Sequence, residues 1–121
     1  MIVDDSTDLR AILRLALERT GVLEVVAEAS DGASAIGIAA ECRPDVILLD
    51  LALPIMDGVQ ALPALLGVAP AAKVVVLSGF EARYLAPVML EAGAAGYIEK
   101  GVGLDGLLHE VMSVIDQLVH G

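Results

Sequence analysis

The chain has 121 residues, enough for one folded domain with a single sizeable core. Its formal net charge of −10 argues against direct binding to the phosphate backbone of nucleic acids. The longest weakly polar stretch, 59–72, contains prolines and a glutamine and is shorter than the ~20 apolar residues that a bilayer span needs. Cys42 is the only cysteine, so no internal disulfide is possible, and a cytoplasmic location is expected.

The first part of the chain alternates short apolar runs with helical patterns. Ile2-Val3 predicts a strand, and Ser6 predicts the N-cap of a helix with apolar residues at helical spacing. Residues 24–29 predict a second strand. Asp31 then predicts the N-cap of a second helix.

The same alternation continues to the end of the chain. Val46-Ile47-Leu48-Leu49 is a continuous aliphatic run, which is typical of a strand covered on both faces. The remaining predicted elements are a helix from Asp57-Gly58 to about 68, a strand over 73–77, a helix over 81–92, a strand over 96–99 and a helix over 104–119.

Five strands in strict alternation with five helices predict an α/β fold with right-handed crossovers and a parallel sheet between two layers of helices. In such sheets, ligands bind beyond the carboxyl ends of the strands. Polar residues follow the apolar strands at this edge: Asp4-Asp5, Asp50, Ser78 and Lys100.

This set of side chains suits the transfer of a phosphoryl group. Several carboxylates in one pocket repel each other unless a cation lies between them, and Mg²⁺ accepts carboxylate and phosphate oxygens as ligands. Lys100 supplies a positive charge for a phosphoryl oxygen and Ser78 a hydroxyl donor. A carboxylate such as Asp50 can itself be the nucleophile.

Each residue also has an ordinary structural interpretation. Asp4-Asp5 could only cap the first helix, and Asp50 could be a loop carboxylate. Ser78 could simply end a strand, and Lys100 could be a solvated surface lysine. The occurrence of all four at one predicted edge favours the functional interpretation.

The chain resembles the receiver domain of two-component response regulators, which are CheY-like and flavodoxin-like. The resemblance covers nearly the whole chain and rests on an ordered series of motifs: Val3-Asp4-Asp5-Ser6 with Arg10 downstream, Pro44 to Leu51 around Asp50, Pro54-Ile55-Met56-Asp57-Gly58, Val76-Leu77-Ser78-Gly79, Glu91 to Tyr97, and Lys100. It implies a single doubly wound (βα)5 domain over residues 1–121, with strand order 2-1-3-4-5. It also implies a first strand truncated at the N-terminus, because few residues precede Asp4.

The resemblance further implies roles for individual residues. Asp50 would be the phosphoacceptor of a signalling domain that is not itself an enzyme, with Lys100 and Ser78 contacting the phosphoryl group. Ser78 and Tyr97 would switch conformation on phosphorylation. Mg²⁺ would be held by Asp4, Asp5, Asp50 and the backbone carbonyl of Ala52. Ala52 and Phe80 match positions that tune hydrolysis, and neither can orient a water molecule, so a long-lived aspartyl phosphate is expected.

The implied partners are a sensor histidine kinase or phosphotransfer protein and a downstream output domain or effector. The fourth helix, fifth strand and fifth helix would form the face for a partner or a homodimer. No nucleic acid or membrane partner is expected.

Three other functions compete with a phosphoacceptor domain. A degenerate receiver would bind proteins without carrying phosphate, although the acidic set and Lys100 are intact. An aspartate-nucleophile phosphatase usually has a second Asp two residues after the nucleophile, where this chain has Ala52. Flavin or dinucleotide binding is disfavoured because no G-x-G-x-x-G motif follows the first strand.

Overall fold

The computed structural model describes residues 1–21, 23–54, 56–79 and 81–120. The elements in chain order are β1 (Ile2–Val3), α1 (Thr7–Glu18), β2 (Glu28–Ala29), α2 (Gly32–Cys42), β3 (Val46–Asp50), α3 (Gly58–Val68), β4 (Lys73–Ser78), α4 (Ala82–Glu91), β5 (Gly96–Glu99), a 3₁₀ turn (Lys100–Val102) and α5 (Gly103–His120). All strand pairs are parallel, and the strand order is β2-β1-β3-β4-β5. The predicted flavodoxin-like architecture and strand order are confirmed.

The aliphatic strands β3 and β4 are buried on both faces, as their continuous apolar sequences predict. Alternate side chains point to opposite faces, so Ile47 and Leu49 pack with α2, α3 and α4, whereas Leu48 packs with α1 and α5. The sheet therefore separates two apolar layers. The strands β3 and β4 contribute buried side chains to both layers.

The first three predicted helix starts follow from local capping chemistry. The Ser6 hydroxyl accepts a hydrogen bond from the Leu9 amide at 3.2 Å. The carboxylates of Asp31 and Asp57 do the same for the amides three residues later, at 2.8 and 2.9 Å. These caps satisfy amide donors that have no partner within the helix.

The prediction of a strand over 24–29 is wrong in its extent, since β2 covers only Glu28–Ala29. β2 lies at the edge of the sheet, and its neighbour β1 is two residues long. The pairs are Ile2 with Glu28 and Val3 with Ala29. Strand structure needs a hydrogen-bonded neighbour, and β1 offers none beside most of 24–27.

Among the described residues, no helix combines the length and apolar character that crossing a bilayer requires.

Candidate functional site

Four polar side chains meet at the carboxyl edge of the sheet, where the parallel strands end. Asp4 follows β1, Asp50 ends β3, Ser78 ends β4 and Lys100 follows β5. Asp4, Asp50 and Ser78 are buried, with exposed fractions of 1%, 3% and 1%. Buried carboxylates need partners, because water no longer solvates their charge.

Lys100 is the partner that joins the two buried carboxylates. Its Nζ lies 3.1 Å from Oδ2 of Asp4 and 3.0 Å from Oδ2 of Asp50. The lysine therefore bridges β1 and β3, two strands that run side by side. An ammonium in this position can also meet the oxygens of a group attached to Asp50.

Backbone groups hold the other oxygens of the two carboxylates. The amide of Ser6 donates to Oδ1 of Asp4 at 2.8 Å, and the amide of Ala52 donates to Oδ1 of Asp50 at 3.1 Å. The loop after Asp50 is also fixed by close packing. A Cβ at Gly58 would come within 2.7 Å of the Asp50 carbonyl oxygen, so only glycine fits there without a shift.

Burial and the surrounding charges shift two pKa values in the site. Burial raises the pKa of Asp50, with repulsion from Asp4 in the same direction, while Lys100 and the Ala52 amide oppose the rise. Burial by itself would lower the pKa of Lys100, but the hydrogen bond and charge of Asp50, together with Asp4, outweigh it and raise that pKa.

The residues present fit a divalent metal ion. Carboxylate oxygens of Asp4, Asp5 and Asp50 all lie within 4.8 Å of one another. Three carboxylates beside one lysine leave a formal charge of −2 in the pocket. Asp5 is exposed, so this part of the cluster is accessible from solvent. A hard cation with oxygen ligands matches this donor set.

Ser78 and Tyr97 lie on the neighbouring strands β4 and β5. Asp50 pairs with Leu77, so Ser78 is one residue further towards the carboxyl edge. Tyr97 pairs with Val76 and is half-buried against the apolar layer formed with α2, α3 and α4. Both residues therefore lie on strands adjacent to the site, and their switching roles stay predictions.

The structure describes one of the two positions that the resemblance links to the rate of hydrolysis. Ala52 is exposed beside Asp50, whereas Phe80 lies outside the described residues. The expectation of a long-lived aspartyl phosphate stays a prediction.

Arg10 contacts the site, a contact that the sequence motif alone did not explain. Its Nη1 donates to the backbone carbonyl of Asp4 at 2.6 Å, and its Nε lies 3.1 Å from Oε1 of Glu28. The helical spacing of Arg10 and Arg14 places both on one face of α1 and is the signal that could have indicated a shared partner on β2.

Comparison with known proteins assigns the family. The family model described as "response regulator receiver domain" matches residues 1–112. The chain belongs to this family, and its fold and acidic cluster are those of a CheY-like receiver domain.

Two curated relatives illustrate the similarity. A protein-glutamate methylesterase/protein-glutamine glutaminase of Azospirillum brasilense is 39% identical over 126 aligned positions, covering 98% of this chain and 32% of that protein. A putative transcriptional regulator of Pseudomonas aeruginosa is 35% identical, covering 99% of this chain and 58% of that protein. The chain thus spans less than two thirds of the length of each of these two relatives.

Solved structures agree with this assignment. The response regulator domain of Thermotoga maritima CheB superimposes with a TM-score of 0.89 at 28% identity, covering 99% of this chain and 94% of that one. A chain of the CheX-CheY-BeF3-Mg+2 complex of Borrelia burgdorferi gives a TM-score of 0.87 at 25% identity, covering 98% and 86%.

Proposed function

We propose that this chain is a phosphoacceptor signalling domain in which Asp50 receives a phosphoryl group from the phosphohistidine of a sensor histidine kinase or phosphotransfer protein. The observation that carries the proposal is the position of Lys100, which bridges the buried carboxylates of Asp50 and Asp4 at 3.0 and 3.1 Å. A role in stability alone does not account for this arrangement, because burying two carboxylates costs about as much free energy as their attraction to one lysine returns.

In the proposed transfer, a carboxylate oxygen of Asp50 bonds to phosphorus while the phosphorus–nitrogen bond to histidine breaks. Later hydrolysis of the aspartyl phosphate releases inorganic phosphate and restores the carboxylate. Positioning and neutralisation of charge supply most of the rate in such transfers. Lys100 would neutralise a phosphoryl oxygen, and its raised pKa favours the charged form at neutral pH.

Asp4, Asp5, Asp50 and the backbone carbonyl of Ala52 would hold Mg²⁺ in this site. The bound ion would neutralise the charge of the incoming phosphoryl oxygens. The clustering of the three carboxylates within 4.8 Å supports this ligand set. The Borrelia relative, whose complex contains BeF3 and Mg+2, supports it by similarity.

Phosphorylation would act as a switch through Ser78 and Tyr97. The Ser78 hydroxyl would donate to a phosphoryl oxygen, and Tyr97 would move from its half-buried position to a fully buried one. Such a change selects one of two packings of the same segment.

The response would reach a partner through α4, β5 and α5, acting on an output domain or effector protein or on a second copy of the chain. Tyr84 and Val88 are exposed on α4, with exposed fractions of 63% and 55%, and Leu104 is 45% exposed on α5. Apolar side chains on neighbouring elements are suited to a protein interface. We place this activity in the cytoplasm, without a direct nucleic-acid or membrane partner and without an enzymatic activity towards other substrates.

The proposal is tested by incubating the protein with acetyl phosphate and Mg²⁺ and measuring covalent phosphate by intact mass. We expect one phosphoryl group per chain, stable in acid and labile in alkali, that is absent when EDTA replaces Mg²⁺. Asp50→Asn should abolish it. Asp45→Asn is the matched control, because Asp45 is an exposed aspartate immediately before the same strand.

Failure to label the wild-type protein, with either acetyl phosphate or a phosphorylated histidine phosphotransfer protein, would favour the degenerate receiver that only binds proteins. Equal labelling of wild type and Asp50→Asn would assign the phosphate to another residue.

A further inference from the structure

The Asp5 side chain lies in the acidic cluster without side-chain contacts that would orient it among the described residues. Its carboxylate belongs to the acidic cluster, yet within the described ranges it makes no hydrogen bond or ion pair. Asp4, by contrast, has both carboxylate oxygens occupied, by the Ser6 amide and by Lys100. The direction of the Asp5 side chain must therefore be set by the backbone that carries it.

That backbone is held on both sides of Asp5. The Asp4 amide donates to the Ala29 carbonyl at 3.0 Å, and the Ser6 amide donates to the Asp4 carboxylate at 2.8 Å. The carbonyl oxygen of the peptide unit between Asp4 and Asp5 also has a partner. Arg10 donates to it at 2.6 Å. Because a peptide unit is planar, fixing this carbonyl fixes the plane from which the Asp5 Cα departs.

The guanidinium of Arg10 is itself held in place. Its Nε pairs with Glu28 on β2, and its side chain is 16% exposed. The second oxygen of Glu28 pairs with Arg14 at 2.6 Å. A planar guanidinium with two anchored donors has less freedom than a single ammonium would have. Arg10 thus joins α1, the edge strand β2 and residues 4–6, which we call the acidic loop.

We propose that Arg10 is a positioning residue for the metal site, orienting the Asp4–Asp5 peptide so that the Asp5 carboxylate points into the acidic cluster. This proposal rests on the proposed Mg²⁺ site.

The positioning role and a purely electrostatic role predict changes of opposite sign. Arg10 is a cation near the site, so removing its charge would by itself strengthen the binding of Mg²⁺. Loss of the support for Asp5 would weaken it instead. Residues that orient metal ligands typically change the affinity about 10- to 100-fold when substituted.

The test measures the Kd of Mg²⁺ by calorimetry on the metal-free protein without any phosphodonor. We expect Arg10→Gln to bind Mg²⁺ roughly tenfold more weakly than the wild type. Arg10→Lys keeps the charge but has one donor group, and its affinity should lie between the two. Arg14→Gln is the matched control, because it loses a cation and a Glu28 ion pair but no contact to the Asp4 carbonyl. Its affinity should be unchanged or slightly higher.

Equal or tighter binding by Arg10→Gln would overturn the proposal. If Arg10→Gln does not fold, Arg10→Lys decides the question at unchanged net charge, and wild-type affinity in that variant would overturn it.

A second readout is independent of metal. The Ser6 amide should exchange its hydrogen faster in metal-free Arg10→Gln than in wild type or Arg14→Gln. The reason is that the backbone of Asp4, whose carboxylate accepts the hydrogen bond of this amide, would be held less firmly. If the wild-type protein binds no Mg²⁺, the proposed metal site fails, and unchanged exchange at Ser6 would then separately overturn the role of Arg10.

Discussion

Asp50 ends a strand that pairs with β4 through five residue pairs, whereas Asp4 follows a strand that pairs with each neighbour through two. The two carboxylates are equally buried and share Lys100, but the backbone supports them differently. We call β3 and β4 with their ladder the long half of the sheet, and β1 and β2 the short half.

The difference shows how a charged site can be built on unequal supports. In the long half, the ladder and the close packing of Gly58 hold the backbone at Asp50. In the short half, the acidic loop depends on side chains and caps, including the Ser6 cap and the contact from Arg10. Substitution of polar side chains should therefore change the geometry of the short half more than that of the long half. Substitution of core residues should lower the free energy of unfolding most in the long half.

The largest expected effect is the loss of stability from Leu49→Ala. Leu49 is fully buried and pairs with both Val3 and Val76. The change should lower the free energy of unfolding by about 2–5 kcal/mol, because it removes buried methyl groups and leaves a cavity. Urea denaturation measures it.

Leu23→Ala is the control at a less buried leucine, which lies in the segment before β2. Leu23 is half-buried and lines an open cavity of about 400 Å³ at the opposite, amino-terminal edge of the sheet. Removing the same atoms there should cost about 1 kcal/mol, because less apolar surface returns to water. Equal losses for the two variants would contradict the expected dependence of the stability loss on burial.

The next effect is a difference in protection from hydrogen exchange between two backbone amides at the carboxyl edge. The Asp4 amide donates to Ala29 at 3.0 Å in the short half, and the Leu51 amide donates to Leu77 at 3.1 Å beside the long ladder. We expect the Asp4 amide to be less protected by roughly tenfold, since fewer ladder bonds must break to expose it. Hydrogen exchange followed by NMR measures both in one sample, and greater protection of Asp4 would reverse the comparison.

The smallest expected effect is the pH dependence of the free energy of unfolding that arises from Asp50, the buried carboxylate at the end of β3. Because burial raises the pKa of Asp50, the folded protein binds more protons than the unfolded chain between the ordinary and the raised value. The contribution of this group to stability is therefore lost as the pH rises through the raised pKa. Asp50→Asn removes the titration, so its stability relative to the wild type should increase with pH.

This is measured by urea denaturation in EDTA between pH 4 and 8, a range in which Lys100 stays protonated. A stability difference that does not change with pH would show that Asp50 titrates at its ordinary value. Asp45→Asn again serves as the exposed control.

Much of the fold could be predicted because its signals are local. The caps at Ser6, Asp31 and Asp57 act on amides three residues away, and each appears in the structure. The aliphatic runs of β3 and β4 indicate burial on both faces without knowledge of the neighbours. The convergence of Asp4, Asp50, Ser78 and Lys100 followed from the rule that parallel strands share a carboxyl edge.

The extent of β2 could not be predicted in the same way. Residues 24–27 have the composition of a strand, but a strand forms only beside a partner, and β1 is too short to pair with most of them. The contact of Arg10 with the Asp4 carbonyl was also hidden, because it depends on how α1 packs across the sheet.

The sequence by itself determined the order of the elements, the starts of the first three helices and the set of polar residues at the strand ends, because these depend on neighbours within a few positions. Only the tertiary structure decided that Lys100 bridges Asp4 and Asp50, that β2 is two residues long and that Arg10 donates to the Asp4 carbonyl. These features join residues far apart in the chain, and their distances depend on the packing of helices against the sheet.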